Sequence, residues 1–312
     1  MTRRNRPALM VLACLTLLSL LVAGCGSSGE AQARTVSAPV RTAARPSAGP
    51  AKATNRVTKV LVFMVENHSM AQMQSGMPWV YRLAKRYGRT TRYHAITHPS
   101  LPNYLSIAGG SSFGVRDDNS PSAHRLGGAS VFGRAITAGR TAGLYAESMP
   151  HNCTLDPAGR YAVKHNPWAY FPSERSQCSK HDVPLSHLAG DISNGRLPNV
   201  GMVIPNLCDD AHDCSLAVAN RWLKAKVGAV LAGPDFTSGR LAVVITADED
   251  DDHSGNKVLT VVAQRSLHGK VVGTPLNHFG LSRSLAQVGH FSPLRGARSS
   301  ASVLKAFGLQ LG

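Results

Sequence analysis

Runs of apolar residues alternate with amphipathic stretches along most of this chain. Val57–Val65 and Leu241–Ala247 contain continuous apolar runs rich in β-branched residues, a pattern typical of strands buried on both faces of a sheet. Leu216–Leu231 has helical spacing of its apolar positions and ends before Gly233 and Pro234. Further strands are predicted at Arg92–Ile96, Ala142–Glu147, Asn199–Ile204 and Val258–Ala263, and further helices at Met70–Tyr87, Asn103–Ala108, Leu281–Val288 and Ala301–Phe307. This alternation predicts an α/β fold with a mainly parallel central sheet and helices on both faces.

The segments 109–140 and 149–188 have few periodic signals, and we expect them to shape a pocket.

The N-terminal segment has the pattern of a secretory signal. Three arginines precede the apolar segment Ala8–Ala23, which is short for a membrane span and is followed by Gly24 and Cys25. The small residues before Cys25 resemble a bacterial lipobox, which predicts a signal peptide at 1–24 and lipidation of Cys25. An ordinary signal peptide with an incidental cysteine is the alternative. We therefore expect an exported, extracytoplasmic protein whose only membrane contact is a lipid anchor.

Two further regions follow the signal. Residues 25–55 are rich in Ser, Gly, Ala, Pro and Arg and have few large apolar side chains, which predicts a disordered tether. Residues 56–312, about 257 residues, are sufficient for one α/β domain with a large core.

Four cysteines fall within the predicted domain, at Cys153, Cys178, Cys208 and Cys214. An even number in an exported chain predicts two disulfides. Three pairings are possible, and short loops favour Cys153–Cys178 and Cys208–Cys214. A zinc site made of these cysteines is the alternative, but the spacing lacks paired C-x-x-C units.

The charge balance favours an anionic partner. The chain has 34 Lys and Arg against 18 Asp and Glu, a formal net charge of +16, which attracts phosphorylated ligands among other anions. The basic residues are dispersed and form no aromatic-interleaved basic motif, so no nucleic-acid module is expected. The oligomeric state has no signature in this sequence.

Polar side chains follow two of the predicted strands. Glu66 and Asn67 follow the first strand, and the five acids Asp248–Asp252 follow the strand Leu241–Ala247. Open α/β sheets bind ligands at such strand ends, and a cation would relieve the repulsion among the acids. A solvated acidic loop and a strand that simply reaches solvent are the alternatives. Hard oxygen ligands suit Ca²⁺, Mg²⁺ or Mn²⁺.

Ser100 lies where a strand is predicted to turn into a helix. Its hydroxyl would be near free backbone N–H groups and the positive end of the helix dipole, which favours a bound phosphate. The alternative is that Ser100 only caps the helix. A Ser-His-Asp hydrolase has little support, because the G-x-S-x-G match at Gly110–Gly114 follows a predicted helix rather than a strand.

The motifs Val65–Ser69, His98–Tyr104 and Val244–Asp250 resemble the bacterial phosphoesterase family of acid phosphatases and phospholipases C, in the alkaline-phosphatase-like superfamily. The likeness extends in order from about Val57 to His278, and Pro205–Cys214 and Tyr161–Trp168 also fit. The resemblance implies an alkaline-phosphatase-like fold and a role for Ser100 as a transiently phosphorylated nucleophile.

The same resemblance implies roles for several other residues. The implied metal ligands are Glu66, Asn67, Asp248 and Glu249. Zinc-dependent relatives have Asp-His in place of Asp248-Glu249, so one divalent ion (Ca, Mg, Mn or Zn) is expected rather than a two-zinc centre. Residues in the region of the second metal or of the substrate are Asn103, Asn206, Asp210 and His212. His278 and His165 are candidates for contacting phosphate or protonating the leaving group.

The sequence thus predicts an exported, metal-dependent hydrolase of phosphoric esters, most similar to acid phosphatases, with a phosphorylated small molecule or lipid as substrate. A phospholipase C-type phosphodiesterase is one alternative, although nothing after His278 is long enough for an extra domain. A non-catalytic lipoprotein that binds a phosphorylated ligand is another. Sulfatase chemistry is disfavoured because the chain has no Cys/Ser-x-Pro-x-Arg motif.

Overall fold

The computed structural model describes residues 56–312, so the predicted signal peptide, Cys25 and the tether lie outside the described residues. The strands are β1 (Arg56–Val57), β2 (Lys59–Val65), β3 (Gly88–Thr90), β4 (Tyr93–His94), β5 (Ala142–Ala146), β6 (Asp182–Pro184), β7 (Val200–Ile204), β8 (Leu241–Ala247), β9 (Val261–Ala263), β10 (Lys270–Val272), β11 (Leu276–Asn277) and β12 (Gln310–Leu311). The α-helices are α1 (Met70–Gly76), α2 (Pro78–Arg86), α3 (Ser100–Gly109), α4 (Val131–Thr137), α5 (Arg175–His181), α6 (His187–Ser193), α7 (Leu216–Ala232), α8 (Pro234–Thr237), α9 (His278–Val288) and α10 (Val303–Ala306).

Eight strands form the central sheet in the order β10-β3-β9-β8-β2-β7-β5-β6. The strands β6, β5, β7, β2 and β8 are all parallel. β2 lies in the middle, with Val62 opposite Met202 on one side and Val244 on the other. Both neighbours and both faces of β2 are covered, which explains its uninterrupted apolar run. The prediction of a mainly parallel sheet flanked by helices is confirmed.

One strand runs against the others. β9 pairs antiparallel with both β8 and β3. Residues 248–260, which connect β8 to β9, contain no helix. A parallel return would need a crossover connection, so this chain comes straight back alongside β8.

Two groups of helices flank the sheet. α1, α2, α6 and α8 pack on α7, or on one another, and α3, α4 and α10 pack on α9. The predicted helix Met70–Tyr87 is wrong in one respect: it is two helices, because Pro78 has no N–H with which to continue the first.

The helix that carries Ser100 begins three residues earlier than predicted. α3 starts at Ser100 because Pro102 falls in the first turn, where its missing N–H costs nothing. The helix ends at Gly110, which has a left-handed φ of 67°. A Cβ at Gly110 would lie 2.4 Å from the carbonyl oxygen of Leu294, so glycine is required at this position.

Both favoured disulfides are present, Cys153–Cys178 and Cys208–Cys214. The alternative of a zinc site made of these cysteines is therefore wrong, because all four sulfur atoms are bonded in pairs. Among residues 56–312, no helix combines the length and the apolar character that a membrane span requires.

Candidate active site

Three strand ends and one helix start converge at the carboxyl edge of the sheet. The N–H of Glu66, just after β2, donates to the carbonyl oxygen of Asp210 at 2.8 Å. The N–H of Asp248, just after β8, donates to the carbonyl oxygen of Val65 at 3.1 Å. These backbone bonds hold the loops after β2, β7 and β8 together, and the start of α3 lies against them.

Ser100 is buried among carboxylates, with 1% of its surface exposed. Its hydroxyl donates to Oε2 of Glu66 at 3.2 Å and lies 3.5 Å from Oε1 of Glu249. The N-cap residue of α3 is Pro99, and Ser100 is the first residue of the helix. The alternative that Ser100 is only a cap is therefore wrong, and its hydroxyl is directed at the acidic cluster.

Asn67 and Asp248 present oxygen atoms without partners. Asn67 has a left-handed φ of 51°, and its N–H donates to Oδ1 of Asp248 at 3.1 Å. Among residues 56–312, no group donates a hydrogen bond to the buried Oδ1 of Asn67 or the buried Oδ2 of Asp248. Buried oxygen atoms are normally paired, so these two fit a bound cation.

The carboxyl groups also repel one another. Burial, and then the charges of Glu66 and Glu249, raise the pKa of Asp248 well above its ordinary value. Burial, and then the charge of Glu66, raise the pKa of Glu249 to about 8. A divalent ion would offset this repulsion, so Glu66, Asn67, Asp248 and Glu249 are chemically suited to hold one.

His165 lies between two carboxylates. Its Nε2 is 3.1 Å from Oε2 of Glu66 and its Nδ1 is 3.3 Å from Oδ2 of Asp210, and its ring stacks on Tyr104. Burial lowers the pKa of His165, but the two carboxylates outweigh this and raise it to about 9. Burial likewise raises the pKa of Glu66, but His165, the hydrogen bond from Tyr104 and the charge of Lys164 together outweigh it and lower the pKa below its ordinary value.

Glu66, His165 and Asp210 form a second set of groups with metal-binding geometry. One ligand-type atom from each lies within 4.8 Å of the others. This set shares Glu66 with the predicted metal ligands. Neither ring nitrogen of His165 has hydrogen-bond geometry with a described residue, so the side chain is a ligand candidate as well as a charged partner.

A basic side chain that the sequence did not predict faces the site. Nζ of Lys164 is 2.8 Å from Oδ2 of Asp118 and 3.4 Å from Nε2 of His212. The other oxygen of Asp118, Oδ1, accepts the N–H of Leu101 at 2.9 Å. These side chains line a cavity of about 340 Å³. Lys164 lies within the recognised stretch Tyr161–Trp168, whereas Asp118 lies in a segment without periodic signals.

Two predicted residues support the loops of the site. Nδ2 of Asn103 donates to Oε2 of Glu249 at 3.2 Å, while its Oδ1 accepts the N–H of Ile96. Asn206 is directed into its own loop, where its Oδ1 accepts the N–H groups of Cys208 and Asp209. The structure therefore does not bring the Asn206 side chain into contact with Ser100 or the acidic cluster.

His278 is buried behind the site. Its Nε2 is 2.6 Å from the carbonyl oxygen of Asp248, so this nitrogen donates, and its Nδ1 accepts from the hydroxyl of Tyr93 at 3.0 Å. Burial lowers the pKa of His278 to about 4, and the ring is neutral near pH 7. Both nitrogens are occupied, so the ring supports Asp248 and does not contact Ser100.

Comparisons with known proteins identify relatives of this chain. The chain matches the Phosphoesterase family over residues 63–283. It is 31% identical to a phosphatidylinositol-3-phosphatase of Mycobacterium tuberculosis, over 73% of this chain and 76% of that protein. It is 29% identical to a phosphate-repressible acid phosphatase of Penicillium chrysogenum, over 66% of this chain and 52% of that protein. The chain spans about half the length of this fungal relative.

Solved structures share the fold at low sequence identity. A protein of the alkaline phosphatase superfamily from Vibrio parahaemolyticus superposes with a TM-score of 0.54 at 10% identity, over 79% of this chain and 71% of that chain. A sulfatase from Pseudoalteromonas sp. superposes with a TM-score of 0.52 at 9% identity, over 81% of this chain and 72% of that chain. The central sheet and its flanking helices therefore share the fold of these solved structures.

Proposed function

This chain belongs to the phosphoesterase family and is a phosphoric ester hydrolase, and from that premise we propose that the Ser100 hydroxyl attacks phosphorus to form a phosphoserine. The observation that carries this proposal is the Ser100 hydroxyl, buried at the start of α3 and directed at Glu66 and Glu249. These carboxylates lie where they can accept its proton as the new P–O bond forms.

The surrounding side chains have distinct roles. Glu66, Asn67, Asp248 and Glu249 would hold one divalent cation, which when bound supplies positive charge next to the phosphoryl oxygens. Lys164 brings a second positive charge close enough to feel the charges of Glu66 and Asp248. Burial lowers the pKa of Lys164, but Asp118 and the acidic cluster outweigh this and raise it, so the ammonium stays charged.

His212 is the histidine best placed to transfer protons. It lines the cavity, and its Nδ1 is held by Oδ1 of Asp213 at 2.7 Å. Its Nε2 has only a long contact, 3.4 Å from Nζ of Lys164, and once the substrate draws that ammonium away it would exchange a proton with the leaving alcohol and then with the attacking water. His165 holds Glu66 and Asp210 in place by its charge, and His278 positions Asp248.

We infer that the substrate is a phosphate monoester. The relatives are named as acid phosphatases and as a phosphatidylinositol-3-phosphatase, which favours a small molecule or a lipid headgroup over a phospholipase C-type diester. The cavity of about 340 Å³ lined by Asp118, Lys164 and His212 is sufficient for a phosphoryl group and a small alcohol.

We also infer export, since two disulfides are typical of proteins in oxidising compartments. Lipidation of Cys25 remains part of this proposal, and mass spectrometry of the N-terminal peptide from the membrane fraction would detect it.

Replacement of the nucleophile tests the proposed function. Ser100→Ala is expected to lower turnover of p-nitrophenyl phosphate by at least about 1,000-fold, because no other group can form the covalent intermediate. Acid quenching of the wild type followed by peptide mass spectrometry should find phosphate on Ser100.

Ser106→Ala is the matched control for this experiment. Ser106 is buried on the same helix and donates only to the carbonyl oxygen of Pro102. We expect turnover by Ser106→Ala to stay within about threefold of the wild-type value. Near-normal turnover by Ser100→Ala would refute the assignment, and phosphate binding without turnover in the wild type would favour the non-catalytic alternative.

A further inference from the structure

Asp118 occupies the position at the start of α3 where an anion would bind. Its Oδ1 accepts the N–H of Leu101, the residue after the proposed nucleophile, at 2.9 Å. Its Oδ2 lies 2.8 Å from Nζ of Lys164. A single carboxylate thus takes up both a backbone donor at the helix start and the ammonium group that lines the cavity.

These two donors are also the ones that a phosphoryl group beside Ser100 needs. The first free N–H groups of a helix bind anions because they have no partner within the helix and lie at the positive end of its dipole. An ammonium group supplies charge-assisted hydrogen bonds to phosphate oxygens. Asp118 and a substrate phosphoryl group therefore compete for Leu101 N–H and Lys164.

The Asp118 side chain is placed so that it can be displaced. It is 28% exposed at the cavity, and it belongs to a loop between α3 and α4 rather than to the sheet. Its burial is much lower than that of Glu66 or Asp248, which have no exposed surface. A carboxylate at the edge of the cavity can rotate into solvent, where water replaces the hydrogen bonds that it gives up. The buried acids have no such access to water.

We propose that Asp118 is a specificity-determining residue that holds the phosphate-binding donors in the substrate-free enzyme and releases them to the incoming phosphoryl group. The proposal rests on the proposed function of Ser100. A ligand with a dianionic phosphoryl group displaces the carboxylate, and a monoanionic ester does so less well. The same competition weakens the binding of inorganic phosphate and so favours release of the product.

Titration calorimetry with inorganic phosphate tests this proposal. Asp118→Asn keeps the size of the side chain and an acceptor for Leu101 N–H but removes the competing charge. We expect it to bind phosphate about 10-fold more tightly than the wild type, in the presence of the same divalent cation. If Asp118 served only to position Lys164, the substitution would weaken phosphate binding instead, and that result would overturn the proposal.

Asp117→Asn is the matched control, because it removes the same charge one residue away. Asp117 pairs with Nε2 of His124 and is 47% exposed. Its phosphate affinity should stay within about twofold of the wild type. An equal gain in both variants would show a long-range charge effect and would also overturn the proposal.

A double-mutant cycle with Lys164→Met tests the shared donor. The gain from Asp118→Asn should fall to about threefold or less in the Lys164→Met background, since the released ammonium is then absent. Asp118→Ser serves as a second variant if Asp118→Asn is unstable, and melting temperatures identify that case.

The same titrations in a Ser100→Ala background keep the two proposals separate. Binding of phosphate needs no turnover, so an inactive wild type would refute the proposed hydrolysis without affecting the comparison of Asp118→Asn with Asp117→Asn. Conversely, normal turnover by the wild type, together with a phosphate affinity that Asp118→Asn leaves unchanged, would refute only the role of Asp118.

Discussion

A single buried histidine shows how side chains behind the site determine its geometry. His278 donates from Nε2 to the carbonyl oxygen of Asp248 and accepts at Nδ1 from Tyr93. Both partners require the neutral ring, which agrees with its pKa of about 4. A ring with both nitrogens occupied cannot transfer a proton without first losing one of these bonds. We therefore assign His278 a positioning role.

Two substitutions separate positioning from proton transfer at His278. His278→Gln keeps an N–H near the place of Nε2, whereas His278→Ala leaves the Asp248 carbonyl oxygen unpaired. We expect His278→Gln to retain at least about 10-fold more kcat/KM than His278→Ala, with the pH profile of the wild type. His268→Gln, on the exposed surface, is the control. Equal losses in both variants would instead indicate that the imidazole itself takes part in the reaction.

At the scale of elements, the central strands could be predicted from sequence and the segments that complete the site could not. β8 has the predicted bounds, and β2, β7 and α7 differ from prediction by one or two residues, because continuous apolar runs and helical periodicity reflect burial directly. The strand ends then predicted which polar residues would meet. The direction of β9 could not be predicted, because it depends on the absence of a crossover helix.

The segments without periodicity are held by specific tertiary contacts. The N-cap residue of α4 is Ser130, whose N–H and hydroxyl both donate to the buried Glu174. Such a long-range contact leaves no local pattern in sequence. The same applies to Asp118, whose role depends on its contacts with Leu101 and Lys164. Lys164 is next to a predicted residue, His165, so the sequence carries a local signal for Lys164 that it lacks for Asp118.

The edge strand β6 contains a buried acid that makes stability depend on pH. Asp182 is fully buried, and burial raises its pKa from 3.8 to about 7 against the opposing effect of a hydrogen bond from Asn166. A carboxyl group whose pKa is raised on folding stabilises the native state below its unfolded pKa. That contribution is lost as the pH rises towards 7.

Asp182→Asn should remove this dependence. Between pH 4 and pH 7 the wild type is expected to lose up to about 4 kcal/mol of unfolding free energy relative to Asp182→Asn. Urea denaturation at a series of pH values measures the difference. Asp156→Asn removes an exposed carboxylate and is the control. Parallel pH curves for the wild type and Asp182→Asn would contradict the expected titration of Asp182.

At the scale of the whole molecule, the fold concentrates acidic groups at one edge of the sheet in a basic protein. The chain has a formal net charge of +16, yet Glu66, Asp248 and Glu249 are buried together around Ser100. Their mutual repulsion opposes folding, and the surrounding core has to overcome it. A cation bound by these groups would therefore stabilise the folded domain as well as assist the reaction.

Thermal unfolding measures this coupling without any assay of activity. A divalent cation at about 100 times its Kd should add about 2.7 kcal/mol to the unfolding free energy, or about 5–10 °C to the Tm of a domain of this size. Mn²⁺, Mg²⁺, Ca²⁺ and Zn²⁺ can be compared after treatment with a chelator.

Asp248→Asn should abolish this cation-dependent shift in Tm while raising the Tm of the metal-free protein, because it removes both a ligand and a repelling charge. Asp252→Asn, in the same acidic run but 74% exposed, should keep the shift. If Asp248→Asn responds to cations as the wild type does, the cation is bound elsewhere, and Glu66, His165 and Asp210 become the groups to test next.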